Sequence, residues 1–177
     1  DHDDGFFGGS VAASYDEDAA EMSDPAVLGP TVEFLADLAG EGRALELGIG
    51  TGRVALPLAE RGVPVHGIEL SRAMVERLRA KPGGDAIGVT IGDFATARVE
   101  GSFALVYLVF NTIMNLTTQD AQVACFRTVA AHLEPGGCFV VATDLPALRR
   151  PPVGEPFVVA EATPEDVSIH EYEPAGQ

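Results

Sequence analysis

Basic residues are scarce in this 177-residue chain: 11 Lys and Arg stand against 27 Asp and Glu, a formal net charge of −16. The imbalance is uneven. Residues 1–24 hold eight acids and no Lys or Arg, and residues 151–177 hold six acids and again none. The stretch between them holds 13 acids against 11 bases, a net of −2. The ends therefore read as solvated acidic tails on a nearly neutral body. No basic stripe is available to neutralise phosphates, which argues against a nucleic-acid partner. Cysteine is equally scarce. Cys125 and Cys138 each sit inside an apolar run, so both read as buried thiols in a reducing cytoplasm rather than as a disulfide or metal site. No apolar run reaches the roughly 18 residues of a membrane span, and no signal-peptide pattern opens the chain. The expectation is a cytoplasmic protein with no membrane partner, one domain in size and able to bury a real core. The chain opens on Asp1 rather than Met, so the native start is expected to lie upstream.

What is present centres on Arg43-Ala44-Leu45-Glu46-Leu47-Gly48-Ile49-Gly50-Thr51-Gly52-Arg53. Apolar residues up to Leu47 read as a short buried strand, and three glycines at alternate positions give a turn that brings backbone close to a ligand. A helix is expected from about Arg53, with Val54, Leu56, Leu58 and Ala59 turned to the sheet. Glycine suits a strand that reverses straight into a helix, because it tolerates unusual φ/ψ and puts no Cβ in the ligand's path. Exposed N–H groups of the helix start then face the crevice at the strand's carboxyl end. Two absences narrow the ligand. The third glycine of a dinucleotide fingerprint is replaced by Arg53, and no Lys-Ser/Thr pair follows the loop to cradle phosphate. Glu46, two residues before Gly48, is a poor neighbour for a pyrophosphate and a good one for a cation. Glu69 ends the next apolar run, where an acid accepts hydrogen bonds from a ribose diol. A nucleoside carrying positive charge points to S-adenosylmethionine.

Four motifs occur in order at βα spacing: Glu46-Leu47-Gly48-Ile49-Gly50-Thr51-Gly52, Glu69-Leu70-Ser71-Arg72-Ala73-Met74, Gly92-Asp93-Phe94 and Leu133-Glu134-Pro135-Gly136-Gly137. Together they resemble a class I S-adenosylmethionine-dependent methyltransferase of the small-molecule type, over roughly residues 15–143. The resemblance implies an α/β, Rossmann-like, doubly wound and mostly parallel sheet with helices on both faces. It divides the chain into an acidic N-terminal segment or lid (1–24), a cofactor-binding domain (25–146) and a partial antiparallel extension on the substrate side (147–177). It also implies a cofactor shell of Tyr15, Met22, Glu46, Gly48, Ile49, Gly50, Thr51, Arg53, Glu69, Leu70, Met74, Gly92, Asp93, Phe94, Phe110 and Asn111, with no metal.

Taken in order, residues 11–22 form a weak helix with Tyr15 and Met22 two turns apart, either packed on the domain or closing over the cofactor as in the resembled family. Residues 31–39 form an amphipathic helix ended by Gly40 and Gly42. Ser71 caps a helix to about Lys81, with Met74, Val75 and Leu78 inward and Arg72, Arg77 and Arg79 outward. Residues 86–91 are the third strand, after which Asp93 either accepts from the exocyclic amine of adenine or caps the next turn. Residues 103–110 are the fourth strand, and Asn111-Thr112-Ile113-Met114-Asn115 follows it into the crevice. Thr117 or Thr118 caps a long helix to about Leu133, with Val123, Phe126, Val129, Ala130 and Leu133 on one face. His132 reads as a surface residue or a cation favoured by the helix dipole, and His66 as exposed on its strand. Pro135-Gly136-Gly137 turns into a fifth strand, 138–143, with Asp144 at its carboxyl end. Beyond a linker at 149–152, residues 157–162 and 167–172 read as two strands. Neither of the two further strands that close the family's sheet is found, so the chain reads as C-terminally truncated, with an incomplete acceptor pocket.

Methyl transfer from a sulfonium is an in-line displacement whose leaving group needs no protonation. Most of the work is positioning the nucleophile about 3–3.5 Å from the methyl and excluding water. No catalytic base is obligatory. The candidates are Tyr15, then Asn111 as an orienting group, then Asp144. No Asn-Pro-Pro-Tyr run follows the fourth strand, so by resemblance the acceptor is a small metabolite rather than a planar nitrogen in a base or glutamine. Two other classes stay open: a non-catalytic cofactor-binding module or inactive fragment, and an NAD(P)-dependent oxidoreductase, already weakened by Arg53 and Glu46.

Overall fold

The computed structural model describes residues 4–143 and the backbone of two further strands, 157–162 and 167–171. Two compact units are present, residues 1–143 and 144–177. In the first, the chain runs through α1 (Gly9–Asp18), α2 (Pro25–Ala39), β1 (Ala44–Leu47), α3 (Ala55–Glu60), β2 (Val65–Glu69), α4 (Arg72–Arg79), β3 (Gly88–Ile91), β4 (Phe103–Leu108), α5 (Gln119–His132) and β5 (Leu133–Val141). The sheet order is β3-β2-β1-β4-β5 and every pairing is parallel. The winding reverses between β1 and β4, and the crevice outside their carboxyl ends is where open α/β sheets take ligands. In the second unit β6 (Phe157–Ala162) and β7 (Val167–Glu171) pair antiparallel.

The strand period of two sorts the core. Leu45 and Leu47 of β1, with Val106 and Leu108 of β4, pack with Cys125 and Val129 of α5. Ala44, Leu105 and Tyr107 face the other way, against Leu28, Val32 and Leu35 of α2 and Leu58 of α3. Both faces of the central strands are covered, which explains why β4 reads as one continuous apolar run.

Several elements differ from the sequence reading. Helix α2 starts at Pro25, six residues before the expected start, because Asp24 caps it by accepting from Ala26 N at 2.7 Å and Pro25 sits in the first turn. Pro30 lies within α2 rather than before it. Helix α3 starts at Ala55, two residues later than expected. Strand β5 begins at Leu133, the Pro135-Gly136-Gly137 stretch forming a register irregularity inside it. The inward face of α5 is Cys125, Thr128, Val129 and His132, whereas Phe126 is 50% exposed and Val123 also faces out. His132 is therefore not a surface residue. It is 2% exposed, its Nε2 accepts from Val99 N at 2.9 Å, and its Nδ1–H then donates to Thr128 O at 2.7 Å. His66 is half-buried and hydrogen-bonded to Thr90 Oγ1 at 2.9 Å, and Arg79 turns back to the carbonyls of Gly84 and Ile87. Cys125 is buried, with its thiol pushed up to about 11 by burial and by Asp93, but Cys138 is only half-buried. Thr118 and Ser71 cap α5 and α4 as expected. Among the described residues no helix is long and apolar enough to cross a membrane, and no cluster of His, Cys, Asp and Glu is arranged to hold a metal.

Candidate active site

The glycine loop is fixed by the strands beneath it. Gly48 N and Ile49 N both donate to Ile68 O, at 2.9 and 3.1 Å, and Gly52 N closes the turn on Ile49 O at 3.0 Å. Gly48, Gly50 and Gly52 have φ of +69°, +54° and +82°, a left-handed path that a Cβ would strain. At Gly48 there is a second reason: a Cβ would lie 2.8 Å from Thr112 Cγ2, so bare backbone lets the turn after β4 close against the loop.

Two acids flank this loop by different means. Glu69 is buried at the end of β2, where Oε2 accepts from Gly50 N at 2.8 Å and Oε1 from Ser71 N at 2.9 Å. It thus orders the loop directly. Burial raises its pKa, opposed by these backbone hydrogen bonds and reinforced by the Asp4 charge. Glu46 is 4% exposed and accepts from Tyr107 Oη at 2.9 Å. Its carboxyl is pushed up to about 8, first by burial and also by Glu69, against the pull of Tyr107 and Arg53. A carboxyl so buried favours its neutral form until a cation arrives.

A small cavity, about 30 Å³ in volume, lies above the loop. It is lined by Tyr15, Glu46, Leu47, Gly48, Ile49, Gly50, Thr51, Arg53, Val54, Val109, Phe110 and Thr112. Eight residues expected from the sequence therefore converge: Tyr15, Glu46, Gly48, Ile49, Gly50, Thr51, Arg53 and Phe110. The guanidinium carbon of Arg53 stands 3.9 Å over the Phe110 ring. Its Nη1 is buried with no hydrogen-bond partner, the only such side-chain atom found among the described residues. Phe110 and Asn111 both have positive φ, 55° and 60°, a costly backbone for a bulky Phe. Strain of that kind at the mouth of a cavity is typical of a functional loop.

The other expected residues lie elsewhere. Leu70, Met74, Gly92, Asp93 and Phe94 gather with Glu69 at the ends of β2 and β3. Met74 is core, as is Phe94, while Leu70 is partly exposed. Asp93 is exposed and caps its own turn, Oδ1 accepting from Ala95 N at 2.8 Å. Asn111 begins the turn Thr112–Asn115 without lining the cavity. The helix expected over residues 11–22 is corrected: α1 ends at Asp18, and Met22 falls on a separate turn, 42% exposed and not among the residues lining the cavity. Asp144 lies outside the described residues.

Residues 4–7 lie along the start of α4. Arg72 N donates to Asp4 Oδ1 at 2.8 Å and Ser71 Oγ to Phe7 O at 2.8 Å, while Phe7 meets Tyr15 edge-on with ring centroids 6.1 Å apart. Leu47, Val54 and Val109 were missed as lining residues because nothing in their sequence separates them from core positions, and Thr112, expected at the crevice with its neighbours, lines the cavity where Asn111 does not.

The profile of the methyltransferase domain matches residues 44–137, more than half the chain. The chain belongs to this methyltransferase family. A Streptomyces cypemycin N-terminal methyltransferase is 32% identical over 144 residues, 77% of this chain and 59% of its own. The chain thus spans less than two thirds of that curated relative. The CcbJ methyltransferase from Streptomyces caelestis superposes with a TM-score of 0.82 at 37% identity, covering 99% of this chain and 72% of that one. SAM-bound CalS10, an amino pentose methyltransferase from Micromonospora echinaspora, does so with a TM-score of 0.61 at 28% identity, covering 71% and 54%. Membership of this methyltransferase family accounts for the parallel sheet and for the glycine loop at its switch point.

Proposed function

We propose that the protein is an S-adenosylmethionine-dependent methyltransferase acting on an amine of a small molecule. The observation that carries the reading is the set of groups facing one cavity. A buried carboxylic acid, Glu46, and a buried guanidinium nitrogen of Arg53 without a partner flank a loop of bare backbone. That set fits a zwitterionic, positively charged nucleoside. Arg53 would take the methionine carboxylate, Glu46 would favour the cationic part, and Glu69 with Asp93 would serve the adenosine side. When bound, the donor supplies an electrophilic methyl group.

This chain's own residues bind, orient and exclude water. Tyr15 roofs the cavity from α1, and its hydroxyl is the leading candidate to orient an acceptor. Asn111 and Asp144 are proposed as secondary acceptor-side groups. The amine is favoured because two of the relatives named above are a cypemycin N-terminal methyltransferase and an amino pentose methyltransferase. A neutral amine carries its own nucleophilic lone pair, which suits a site without an obvious strong base. The test is calorimetry with S-adenosylmethionine, S-adenosylhomocysteine and NAD, followed by S-adenosylhomocysteine formation over a panel of small amines, phenols and carbon acids. Turnover confined to amines supports the reading. Donor binding without turnover on any acceptor favours a non-catalytic cofactor-binding module, and binding of NAD alone overturns both.

A further inference from the structure

Helix α1, the glycine loop and the residues just past α4 meet at one polar node. Asp16 Oδ1 accepts from Thr51 Oγ1 at 2.6 Å and from Lys81 Nζ at 2.8 Å, and Lys81 Nζ also donates to Thr51 O at 2.9 Å. Thr51 is almost fully buried, whereas the ion-paired side chains stay about a third exposed, at 29% and 32%. Asp16 directly follows Tyr15, the cavity's roof. Successive helical residues diverge by about 100°, so one turn of α1 presents an aromatic to the crevice and a carboxylate to the loop beneath. Arg77 adds a tie from Nη2 to Ala13 O at 2.8 Å, but that bond reaches only the helix backbone and does not touch the loop. With the node formed the cavity beside Tyr15 holds little more than a water, so a larger group can occupy it only if some of its lining, α1 included, gives way.

We propose that Asp16 and Lys81 are positioning residues that pin the helix carrying Tyr15 onto the glycine loop, and so set how long the methyl donor is held. The proposal rests on the methyl-donor reading above. Breaking the pin loosens α1 and the loop together, while leaving the sheet and the acids beneath it in place.

The test compares wild type with Lys81→Met, Asp16→Asn, the double variant and Lys81→Arg, after circular dichroism confirms that each is folded. Surface plasmon resonance gives the dissociation rate of S-adenosylhomocysteine, and amide exchange reports on α1 and the loop without any ligand. Each single change is expected to speed dissociation about two- to fivefold, the scale of a partly exposed ion pair. The double variant should be no worse than either single, and Lys81→Arg should restore the wild-type rate. Exchange in 9–18 and 48–52 should rise in the same variants, and raising salt to about 1 M should affect wild type more than Lys81→Met. Unchanged dissociation and exchange in both singles, or additive effects, would overturn the pin. If wild type binds neither donor nor product, the methyltransferase reading falls instead, and the exchange data still decide whether the pin exists.

Discussion

Glu46 is the residue whose state most depends on what fills the cavity. Its folded pKa, about 8, lies above its ordinary 4.5, so the ligand-free protein holds a proton there that the unfolded chain has lost. That stability is fully present below about pH 4.5 and is lost as pH rises through about 8, at most about 1.4 kcal/mol per pH unit for one proton. Asp16 works in the opposite sense. Burial pushes its carboxyl up, but hydrogen bonds from Lys81 and Thr51 and the charges of Lys81 and Arg77 outweigh it and hold it below 3.8. Its contribution is present above that value and lost as pH falls through the lowered one. A cationic ligand beside Glu46 should drive the proton off. Titrations of S-adenosylmethionine near pH 7 in buffers of different ionisation enthalpy should then show proton release, which Glu46→Gln should abolish. Arg53→Met should weaken donor binding by about 1.5–3 kcal/mol, the value of a hydrogen bond to a charged group. Glu69→Ala should cost a similar amount, and its effect should extend to the loop because Gly50 N and Ser71 N lose their acceptor. An unchanged dissociation constant for either variant would remove that residue from the site. At this scale both acids were legible because each stands at the carboxyl end of an apolar run. The unpaired Nη1 of Arg53 and the positive φ of Phe110 were not, since both are imposed by neighbours distant in sequence.

Among elements, the turn from β1 into α3 carries the most function for its length. Gly50→Val places a β-branched side chain at φ +54°, with no heavy atom within 4 Å to displace except the Gly48 carbonyl at that limit. The substitution is therefore expected to abolish donor binding through strain and obstruction while far-UV circular dichroism keeps its helical signal. Helix α5 tests a different point. His132→Ala leaves Val99 N without its buried acceptor and opens a void under β4, so the unfolding midpoint should fall by the equivalent of about 1–3 kcal/mol. Its apolar pattern had pointed to Val123 and Phe126 as the inward face. The hydroxyl of Thr128 and the ring of His132 took that place because each finds a backbone partner in the loop after β3, Ala95 O and Val99 N respectively. Apolar periodicity cannot register such partners. The late start assigned to α2 has a simpler cause: Pro30 reads as a boundary, yet it is the sixth residue of the helix, where one backbone hydrogen bond is forgone and the Asp24 cap and the burial of Leu28, Val32 and Leu35 carry the helix through it.

Over the whole molecule, the doubly wound and mostly parallel sheet was legible through the family resemblance, whereas the strand order was not read from the sequence. Apolar runs separated by helical segments leave little choice but a parallel sheet with right-handed crossovers, and the observed order puts the reversal where the glycine loop stands. The charge distribution belongs to this scale too. With the body at a net of −2 and the acids concentrated at both ends, the charge distribution disfavours an anionic polymer as a partner. Buried acids and a guanidinium nitrogen without a hydrogen-bond partner surround bare backbone, a set that fits a positively charged nucleoside. Isothermal titration of wild type with S-adenosylmethionine, S-adenosylhomocysteine and NAD tests that fit most directly. The account predicts one saturable site for each of the first two, proton release with the sulfonium, and no heat with NAD; silence with both adenosyl ligands, or binding of NAD alone, would contradict it.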